Sequence, residues 1–170
     1  MNSKNNLIAL PIPTRDGQFV ARYSEKGLAG LSFPVGRASA RAANKNGVPA
    51  KIRAWHRATE TALKNILAGR KSKNLPPLNL AGTEFQKSVW NALRKISTGK
   101  TKSYGEIAQA IGRPKAVRAV GGACGANPVP VLVPCHRVLA ANKKLGGFSG
   151  GLDWKCSLLA REGIKLQSTG

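Results

Sequence analysis

The sequence predicts a protein of the α/β class, of the α+β type, with a small N-terminal β-meander and helix domain before a mostly helical C-terminal domain. Three observations support this. Turn-forming residues separate short apolar runs before residue 34, an apolar helical pattern covers residues 54–67, and two capping boxes follow residue 82. A basic stretch at residues 70–77 that ends in two prolines is typical of a linker. We therefore place domains at residues 1–80 and 81–170.

The N-terminal domain is predicted to contain three strands. The strand-like runs begin at Leu7, Gln18 and Leu28, and turns at Arg15-Asp16-Gly17 and Ser24-Glu25-Lys26-Gly27 separate them. Residues 34–51 are rich in Gly, Ala, Asn and basic residues, which indicates a loop. A helix is expected over residues 54–67. The apolar face of this helix would consist of Trp55, Ala58, Ala62, Leu63 and Ile66.

The C-terminal domain has clearer helix signals. Capping boxes at residues 83–86 and 103–106 open two helices, and the second of these is expected to end at Gly112. Pro114 suits the first turn of a further helix over residues 115–126. Two short helices around a glycine have the length and turn chemistry of a helix-turn-helix, although plain bundles also contain such pairs. Basic and small residues on this helix favour DNA, namely Arg113, Lys115, Ala116, Arg118, Ala119, Gly121 and Gly122.

The end of the chain predicts a wing and a last helix. Residues 138–148 contain a basic turn, so we expect a winged helix-turn-helix. Asp153 is expected to cap a helix that runs through Glu162. A helix C-terminus disfavours an anion, so Glu162 is either solvated, which is the commoner case, or held by another group such as a histidine.

The charge balance indicates a polyanionic partner. The chain of 170 residues has 28 Lys and Arg against 7 Asp and Glu, a net charge of +21. Residues 1–80 contribute +11 (14 basic, 3 acidic) and residues 81–170 contribute +10 (14 basic, 4 acidic). Because the charge is not confined to a tail, nucleic acid is the first expectation.

The cysteines and the hydropathy exclude several protein classes. Three cysteines without a C-x-x-C pair make neither a disulfide framework nor a zinc site, so no metal and no cofactor is expected. The sequence also lacks a signal-peptide pattern and an 18-residue apolar segment. We expect a monomeric cytoplasmic protein, with no membrane association, whose thiols stay reduced.

One motif carries a chemical signal. An apolar run leads through Pro134 to Cys135-His136-Arg137. Since a neighbouring imidazole and positive charge lower a thiol pKa, the motif predicts an activated nucleophile where a strand ends, at the rim of a pocket. The alternative is that Cys135 is a small buried apolar residue beside a solvated turn.

Seven sequence blocks in order resemble a known family. They are Gly82-Thr83-x-Phe85-Gln86, Ser103-Tyr104-Gly105-Glu106-Ile107-Ala108, Pro114-Lys115-Ala116-Val117-Arg118-Ala119-Val120-Gly121, Asn127-Pro128, Pro134-Cys135-His136-Arg137-Val138, Gly147-Phe148-Ser149-Gly150-Gly151-Leu152 and Leu158-Leu159-Ala160-Arg161-Glu162-Gly163. The chain thereby resembles, over residues 82–163, the DNA repair methyltransferases that act on O6-alkylguanine. Residues 7–33 fit the smaller N-terminal β domain of that family only loosely.

The resemblance implies an activity and a reacting group. The family repairs double-stranded DNA containing O6-alkylguanine, with O4-methylthymine left open as a second substrate. Cys135 would accept the alkyl group irreversibly, so each molecule would act once. His136 would be the base that takes the thiol proton through a water, Glu162 would orient that imidazole, and Asn127 would hold the turn that presents the thiol.

The resemblance also implies how DNA is bound. Tyr104 would donate a proton or a hydrogen bond to the guanine as its O6 leaves, and Ser149 and the backbone near Val138 would line the pocket for the extruded base. Arg118 would enter the duplex in place of that base, while the helix at residues 115–126 lies in the minor groove. DNA-contacting residues on this helix would be Lys115, Ala116, Arg118, Ala119 and Gly121.

Three other functions are alternatives to alkyl transfer. The nearest is a non-enzymatic binder of alkylated DNA with the same fold, but such relatives lack the cysteine. A winged-helix regulator would leave Cys135 merely packed. A thiol hydrolase that uses Cys135 and His136 would not explain the basic charge or the helix-turn-helix.

Overall fold

A three-stranded antiparallel sheet forms the N-terminal part of the computed structural model, which describes residues 6–36 and 46–166. The strands β1 (Ile8–Thr14), β2 (Gly17–Ser24) and β3 (Gly27–Ser32) lie in the order β1-β2-β3. Thr14 pairs with Gly17 and Ser24 pairs with Gly27, so both connections are two-residue turns. The predicted meander and both of its turns are therefore confirmed.

One face of this sheet packs on helix α1 (Ala50–Leu67). Alternate residues of β2, namely Phe19, Ala21 and Tyr23, are fully buried, as period-two geometry requires. The buried stripe of the helix comprises Ile52, His56, Thr59, Ala62, Leu63, Ile66 and Leu67.

Two predictions about this region need correction. Helix α1 begins four residues earlier than expected, because Pro49 takes the N-cap position and residues 50–53 add a first turn. The face predicted around Trp55 and Ala58 is rotated, and both of these residues are only half-buried. Residues 50 and 51 of the predicted loop are thus helical, and residues 37–45 of it lie outside the described residues.

Both predicted capping boxes of the C-terminal part are present. Helix α2 (Glu84–Leu93) begins after Thr83, whose hydroxyl accepts the Gln86 N–H at 3.1 Å while the Gln86 side chain accepts the Thr83 N–H at 2.9 Å. Helix α3 (Tyr104–Ala110) begins after Ser103 with the same reciprocal pair to Glu106, at 3.0 and 2.7 Å. These helices therefore begin where the sequence indicates.

Helix α4 (Val117–Gly125) packs against α2 and α3. The prediction that Pro114 lies in its first turn is wrong. Residues 113–116 form a separate turn in which the Ala116 N–H donates to the Arg113 carbonyl at 2.9 Å, and Ala116 becomes the N-cap. A helix pair joined around Gly112 is nevertheless present.

The expected wing is not confirmed. Strand β4 (Lys102–Ser103) pairs in parallel with β5 (Val138–Leu139), so the segment after the cysteine joins a preceding strand and not a hairpin of its own. A 3-10 turn follows at Ala141–Lys143. Helix α5 (Leu152–Arg161) then begins after Gly151, which places Asp153 in the first turn and not at the predicted cap.

The two halves meet through several contacts. Phe19 of β2 and Phe33, which directly follows β3, pack against Trp154 of α5, and Phe33 also packs against Phe148. The Leu31 N–H of β3 donates to the Pro128 carbonyl at 2.9 Å, so the sheet edge supports the chain that precedes the cysteine. The division into domains 1–80 and 81–170 stays a prediction.

Among the described residues, none of the helices is both long enough and apolar enough to cross a lipid bilayer.

Candidate active site around Cys135

A tight turn, and not a strand, delivers Cys135. The side chain of Asn127 holds this turn at both ends, since its Nδ2 donates to the Val133 carbonyl at 2.8 Å and its Oδ1 accepts the Val129 N–H at 3.0 Å. Val131 at the centre has a φ of +73°, which a β-branched residue rarely adopts. The expected strand is wrong because buried polar bonds of Asn127 close the chain on itself.

Cys135 begins a 3-10 helix, Cys135–Arg137, and lies at a cavity of about 580 Å³. Its residue surface is only 4% exposed. The lining residues come from α3, α4, the cysteine turn and the segment before α5. They are Tyr104, Val117, Arg118, Gly121, Cys124, Gly125, Cys135, Gly147, Phe148 and Ser149.

The structure thus brings together some of the predicted site residues and separates others. Tyr104, Arg118, Gly121 and Ser149 line the same cavity as Cys135. Val138 does not line it and is fully buried in β5. Lys115, Ala116 and Ala119 lie outside the lining, at the exposed or half-exposed beginning of α4.

His136 is fully buried next to the thiol residue and has two unlike ring nitrogens. Nε2 lies 2.9 Å from the Glu162 Oε1. Nδ1 is buried and has no hydrogen-bond partner among the described residues. Burial lowers the pKa of this imidazole, although the Glu162 carboxylate opposes that effect, so the ring is neutral near pH 7.

Glu162 is held by three groups at once. Besides His136, Arg137 donates to it through Nε and Nη2 at 2.8–3.0 Å, and the Gly99 N–H donates at 3.0 Å. Burial of this side chain favours its neutral form, but the hydrogen bonds from His136, Arg137 and Gly99 outweigh that effect and lower its pKa to about 2. The carboxylate is therefore ionised at any pH above about 3.

The ionised carboxylate decides the tautomer of His136. A carboxylate without a proton only accepts hydrogen bonds, so the Nε2 atom must carry the ring proton. In a neutral imidazole the other nitrogen then has a free lone pair. Nδ1 is consequently positioned as a proton acceptor.

The expectation that His136 and Arg137 lower the pKa of the Cys135 thiol is wrong for the resting protein. Burial is the largest influence and raises this pKa. A hydrogen bond from Asn127, the charge of Lys155 and the backbone of Cys135 and His136 act in the opposite direction. Arg137 points to Glu162 instead, so the resting site contains a neutral thiol beside a neutral imidazole.

Tyr104 is the first residue of α3 and forms one wall of the cavity. Burial raises its pKa above the usual value, so the hydroxyl keeps its proton at neutral pH. A Cβ atom placed on Gly146 would come within 2.7 Å of this hydroxyl. Only glycine allows the segment before α5 to approach Tyr104 this closely.

Sequence reasoning missed three residues of the site. Arg137 clamps Glu162 and also donates to the Ile96 carbonyl at 2.7 Å, which nothing in the linear sequence indicates. Cys124 of α4 lines the cavity, which its sequence position did not indicate. Lys155 is fully buried, and its place on the apolar face of α5, before Leu158 and Leu159, was a readable signal.

Among the described residues, no three His, Cys, Asp or Glu side chains converge as metal ligands would.

Comparisons with known proteins place this arrangement in a family. A family sequence model described as 6-O-methylguanine DNA methyltransferase, DNA binding domain, matches residues 84–164. A methylated-DNA–protein-cysteine methyltransferase of Methanosarcina acetivorans is 62% identical over 82 residues, which are 48% of this chain and 53% of that protein. The inducible enzyme of that name from Bacillus subtilis is 52% identical over 96 residues, 56% of this chain and 54% of that protein.

The chain spans about half the length of the curated relatives it matches. Solved structures extend the likeness to both halves. The crystal structure of Mycobacterium tuberculosis OGT in complex with DNA matches with a TM-score of 0.73 and 35% identity, covering 91% of each chain. The structure of an O6-methylguanine DNA methyltransferase from Methanococcus jannaschii matches with a TM-score of 0.68 and 29% identity, covering 95% of this chain and 97% of that one.

Proposed function

This chain belongs to the family of methylated-DNA–protein-cysteine methyltransferases, and we propose that it transfers the alkyl group of O6-alkylguanine in duplex DNA to its own Cys135. One observation carries the proposal. The ionised Glu162 holds the Nε2–H of His136, which leaves Nδ1 free to accept a proton beside a cysteine that lines a cavity.

The proposed reaction begins with a proton transfer. The neutral Cys135 thiol gives its proton through a water molecule to Nδ1 of His136, and Glu162 stabilises the imidazolium that results. The thiolate then attacks the alkyl carbon. A carbon–sulfur bond forms, the bond from that carbon to O6 breaks, and the electron pair leaves with the guanine. A soft thiolate suits attack at a saturated carbon.

Tyr104 is proposed to assist the leaving base. Its hydroxyl lines the cavity and stays protonated, because burial raises its pKa. It can therefore donate a hydrogen bond to the guanine as negative charge develops there. The product on Cys135 is a thioether, which has no easy leaving group. Each molecule would accordingly react once.

Base flipping is part of the same proposal. The target atom is inaccessible inside a duplex, so the base must be extruded into a pocket at a cost of a few kcal/mol. A cavity of about 580 Å³ lies within the range of small-molecule sites. Arg118 lines this cavity from α4, where it could take the place of the extruded base.

The surface of α4 supports close approach to DNA. A Cβ atom added to Gly121 or Gly122 would meet nothing within 4 Å, so packing inside the protein does not require glycine at these positions. Close contact with a DNA groove would instead require glycine here, because a side chain would keep the helix away from the DNA. Lys115, Ala116 and Ala119 extend the same surface. We propose that this surface lies in the minor groove. Its basic residues, with the rest of the +21 charge, would make binding strongly salt-dependent.

We also propose that the protein acts as a monomer.

Intact-mass analysis tests the transfer itself. After mixing with a duplex that contains O6-methylguanine, we expect the protein to gain one methyl group, mapped by peptide sequencing to Cys135. Cys135→Ala should bind the duplex without any gain, whereas Cys156→Ala, at a half-buried cysteine outside the cavity, should react normally. Wild-type protein that binds the lesion and stays unmodified would contradict the proposal and favour a lesion binder.

Arg118→Ala tests base flipping. Transfer from duplex DNA should slow about 100-fold, since extrusion costs a few kcal/mol. Reaction with the free base O6-benzylguanine should change less than twofold. Arg113→Ala, at an exposed arginine outside the cavity lining, is the control for loss of one positive charge. Equal losses on both substrates would rule out the role of Arg118 in flipping.

A further inference from the structure

A second concave site lies at the far end of α5 from the cavity around Cys135. It is a groove of about 880 Å³ between the turn after β1, the last turn of α1 with the residues that follow it, and Arg161 at the end of α5. The cavity around Cys135 is lined instead by residues 147–149, which precede α5. The two sites share no lining residue, and a helix of ten residues, about 15 Å long, runs between them.

The lining of this second site is strongly basic, and we call it the basic groove. Four of its nine lining residues are basic and one is acidic, namely Arg15, Lys64, Arg70 and Arg161 against Asp16. Apolar and small residues make up the rest, so the character of the groove is set by its charges.

One ion pair in the basic groove joins the two halves of the chain. Nη1 and Nη2 of Arg161 donate to the two carboxylate oxygens of Asp16 at 2.8 and 2.6 Å. Nη1 of Arg161 also donates to the Leu67 carbonyl at 3.0 Å. A Cβ atom on Gly69 would collide with the Arg161 carbonyl, so the end of α1 packs tightly on the end of α5. These contacts fix the walls of the groove relative to each other.

The remaining cations of the groove carry an excess of positive charge. Lys64 is paired with Glu60 at 2.7 Å. Arg70 donates to the neutral amide oxygen of Asn65 at 2.9 and 3.3 Å, which orients the guanidinium but leaves its charge uncompensated. Arg15 is exposed and forms no ion pair with a described residue. Two arginines therefore present their charge to solvent at the groove.

The chain next to the groove adds to this charge. Lys71 and Lys73 follow Arg70 and are both exposed. They belong to residues 1–80, whose net charge is +11 although none of the described residues among them lines the cavity around Cys135. A net charge of about 2–8 is enough to keep a small domain soluble, and a larger one destabilises the compact state by self-repulsion. The excess charge on this half indicates a polyanionic partner of its own.

The phosphate backbone of DNA fits such a groove. Guanidinium groups bind phosphate oxygens through a planar fork of N–H donors, and a duplex offers one negative charge per about 1.7 Å of its axis. Because the basic groove and the cavity around Cys135 lie at different ends of α5, a duplex held by α4 at that cavity leaves the groove to another duplex.

We propose that the basic groove binds the phosphate backbone of a second DNA duplex while the α4 surface holds the first. The inference rests on the proposed function for the α4 surface, since it adds a second DNA contact to the same protein. The protein would thereby join two duplexes, and the second contact would be independent of sequence because it involves phosphates alone.

A capture assay tests this proposal. A short undamaged duplex is immobilised on beads and saturated with protein, the excess protein is washed away, and a fluorescent duplex of unrelated sequence is added at several salt concentrations. The protein with Arg15→Gln and Arg70→Gln loses two charges of the groove. The protein with Lys26→Gln and Lys87→Gln, at two exposed lysines outside the groove, loses the same charge and is the control. Thermal unfolding establishes that each variant is folded.

We expect the wild type to retain the fluorescent duplex. In the groove variant, the slope of log K against log salt for this capture should decrease by about 2, and capture at about 0.1 M salt should weaken about tenfold or more. The control variant should capture as the wild type does. Methyl transfer from an O6-methylguanine duplex to the groove variant should proceed at the wild-type rate, because neither arginine lines the cavity around Cys135.

Undiminished capture by the groove variant would overturn the inference, and so would an equal loss in the control variant. A parallel loss of methyl transfer would overturn it as well, because the groove would then hold the damaged duplex itself. If the double variant does not fold, Arg15→Gln alone replaces it, with an expected decrease in slope of about 1.

Failure of this inference can be told apart from failure of the proposed function, because neither duplex in the capture assay contains a lesion. Wild-type protein that takes up a methyl group but retains no second duplex contradicts the inference alone. Wild-type protein that never takes up a methyl group contradicts the proposed function, whatever the capture assay shows.

Discussion

The two halves of the molecule each bury one histidine, and the two rings are held in opposite ways. In the N-terminal half, His56 of α1 faces the sheet, with Nδ1 2.9 Å from the Tyr23 hydroxyl and Nε2 3.2 Å from the Pro11 carbonyl. In the C-terminal half, His136 contacts the ionised Glu162 through Nε2, and its Nδ1 has no partner among the described residues.

The difference supports a structural role for His56 and the proposed chemical role for His136. The Pro11 carbonyl can only accept a hydrogen bond, so Nε2 of His56 donates to it and Nδ1 accepts the proton of Tyr23. Burial raises the pKa of Tyr23, so its hydroxyl remains a donor. Both ring nitrogens of His56 therefore already have a hydrogen-bond partner. His136 could gain a proton on an unoccupied nitrogen, with a carboxylate in place to stabilise the charge.

Replacement of His136 should produce the largest effect. We expect His136→Gln to slow transfer from O6-methylguanine DNA by about 10²- to 10⁴-fold, because a positioned general base contributes that much. Single-turnover kinetics measured by methylated-protein mass would give the rate. The chemical role assigned to His136 is contradicted if this variant retains more than a tenth of the wild-type rate while it remains folded.

Glu162→Gln should have the next largest effect. An opposite charge at this distance moves a pKa by about 1–3 units, so its loss should slow proton transfer about tenfold to a thousandfold. The pH profile of Cys135 alkylation should move upward. Asp16→Asn, which breaks the partly exposed ion pair with Arg161, is the control and should leave the profile unchanged.

The stability of Glu162→Gln gives a second test of the ionised carboxylate. The pKa of Glu162 is lowered on folding, so its stabilising contribution is complete above the ordinary glutamate pKa of about 4.3 and disappears as pH falls toward 2. The difference in free energy of unfolding between wild type and Glu162→Gln, from urea titrations, should therefore be constant from pH 5 to 8 and vanish near pH 2. A difference that persists at pH 2 would show that packing, and not charge, stabilises Glu162.

His56→Gln should have the smallest effect on the reaction. Loss of two buried hydrogen bonds should lower the free energy of unfolding by about 1–3 kcal/mol. The transfer rate per folded molecule should stay within twofold of the wild type, because His56 is absent from the cavity lining. A rate loss comparable to that of His136→Gln would mean that the N-terminal half takes part in the chemistry.

Local patterns explain which elements could be predicted. The capping boxes at Thr83 and Ser103 and the two turns of the meander involve residues at most three positions apart, so their chemistry is readable from the chain. The beginning of α4 and the parallel pairing of β4 with β5 were missed. The strand pairing depends on which distant segment offers a partner, and no local pattern encodes that choice. The beginning of α4 is instead set by the separate turn over residues 113–116, which the sequence pattern did not distinguish from a first helical turn.

The candidate site shows the same contrast between features that local sequence predicts and features that depend on the fold. From the sequence we could predict the types of reacting group, since Cys135-His136 within ordered blocks indicates a nucleophile beside a base, and the sequence also raised the question of what holds Glu162. The protonation states, by contrast, follow from the folded arrangement of these groups. Burial keeps the Cys135 thiol and the His136 ring neutral, while Arg137 and Gly99 keep Glu162 ionised. Electrostatic free energies depend on distance and solvent exposure in three dimensions, so residue identity alone does not specify them.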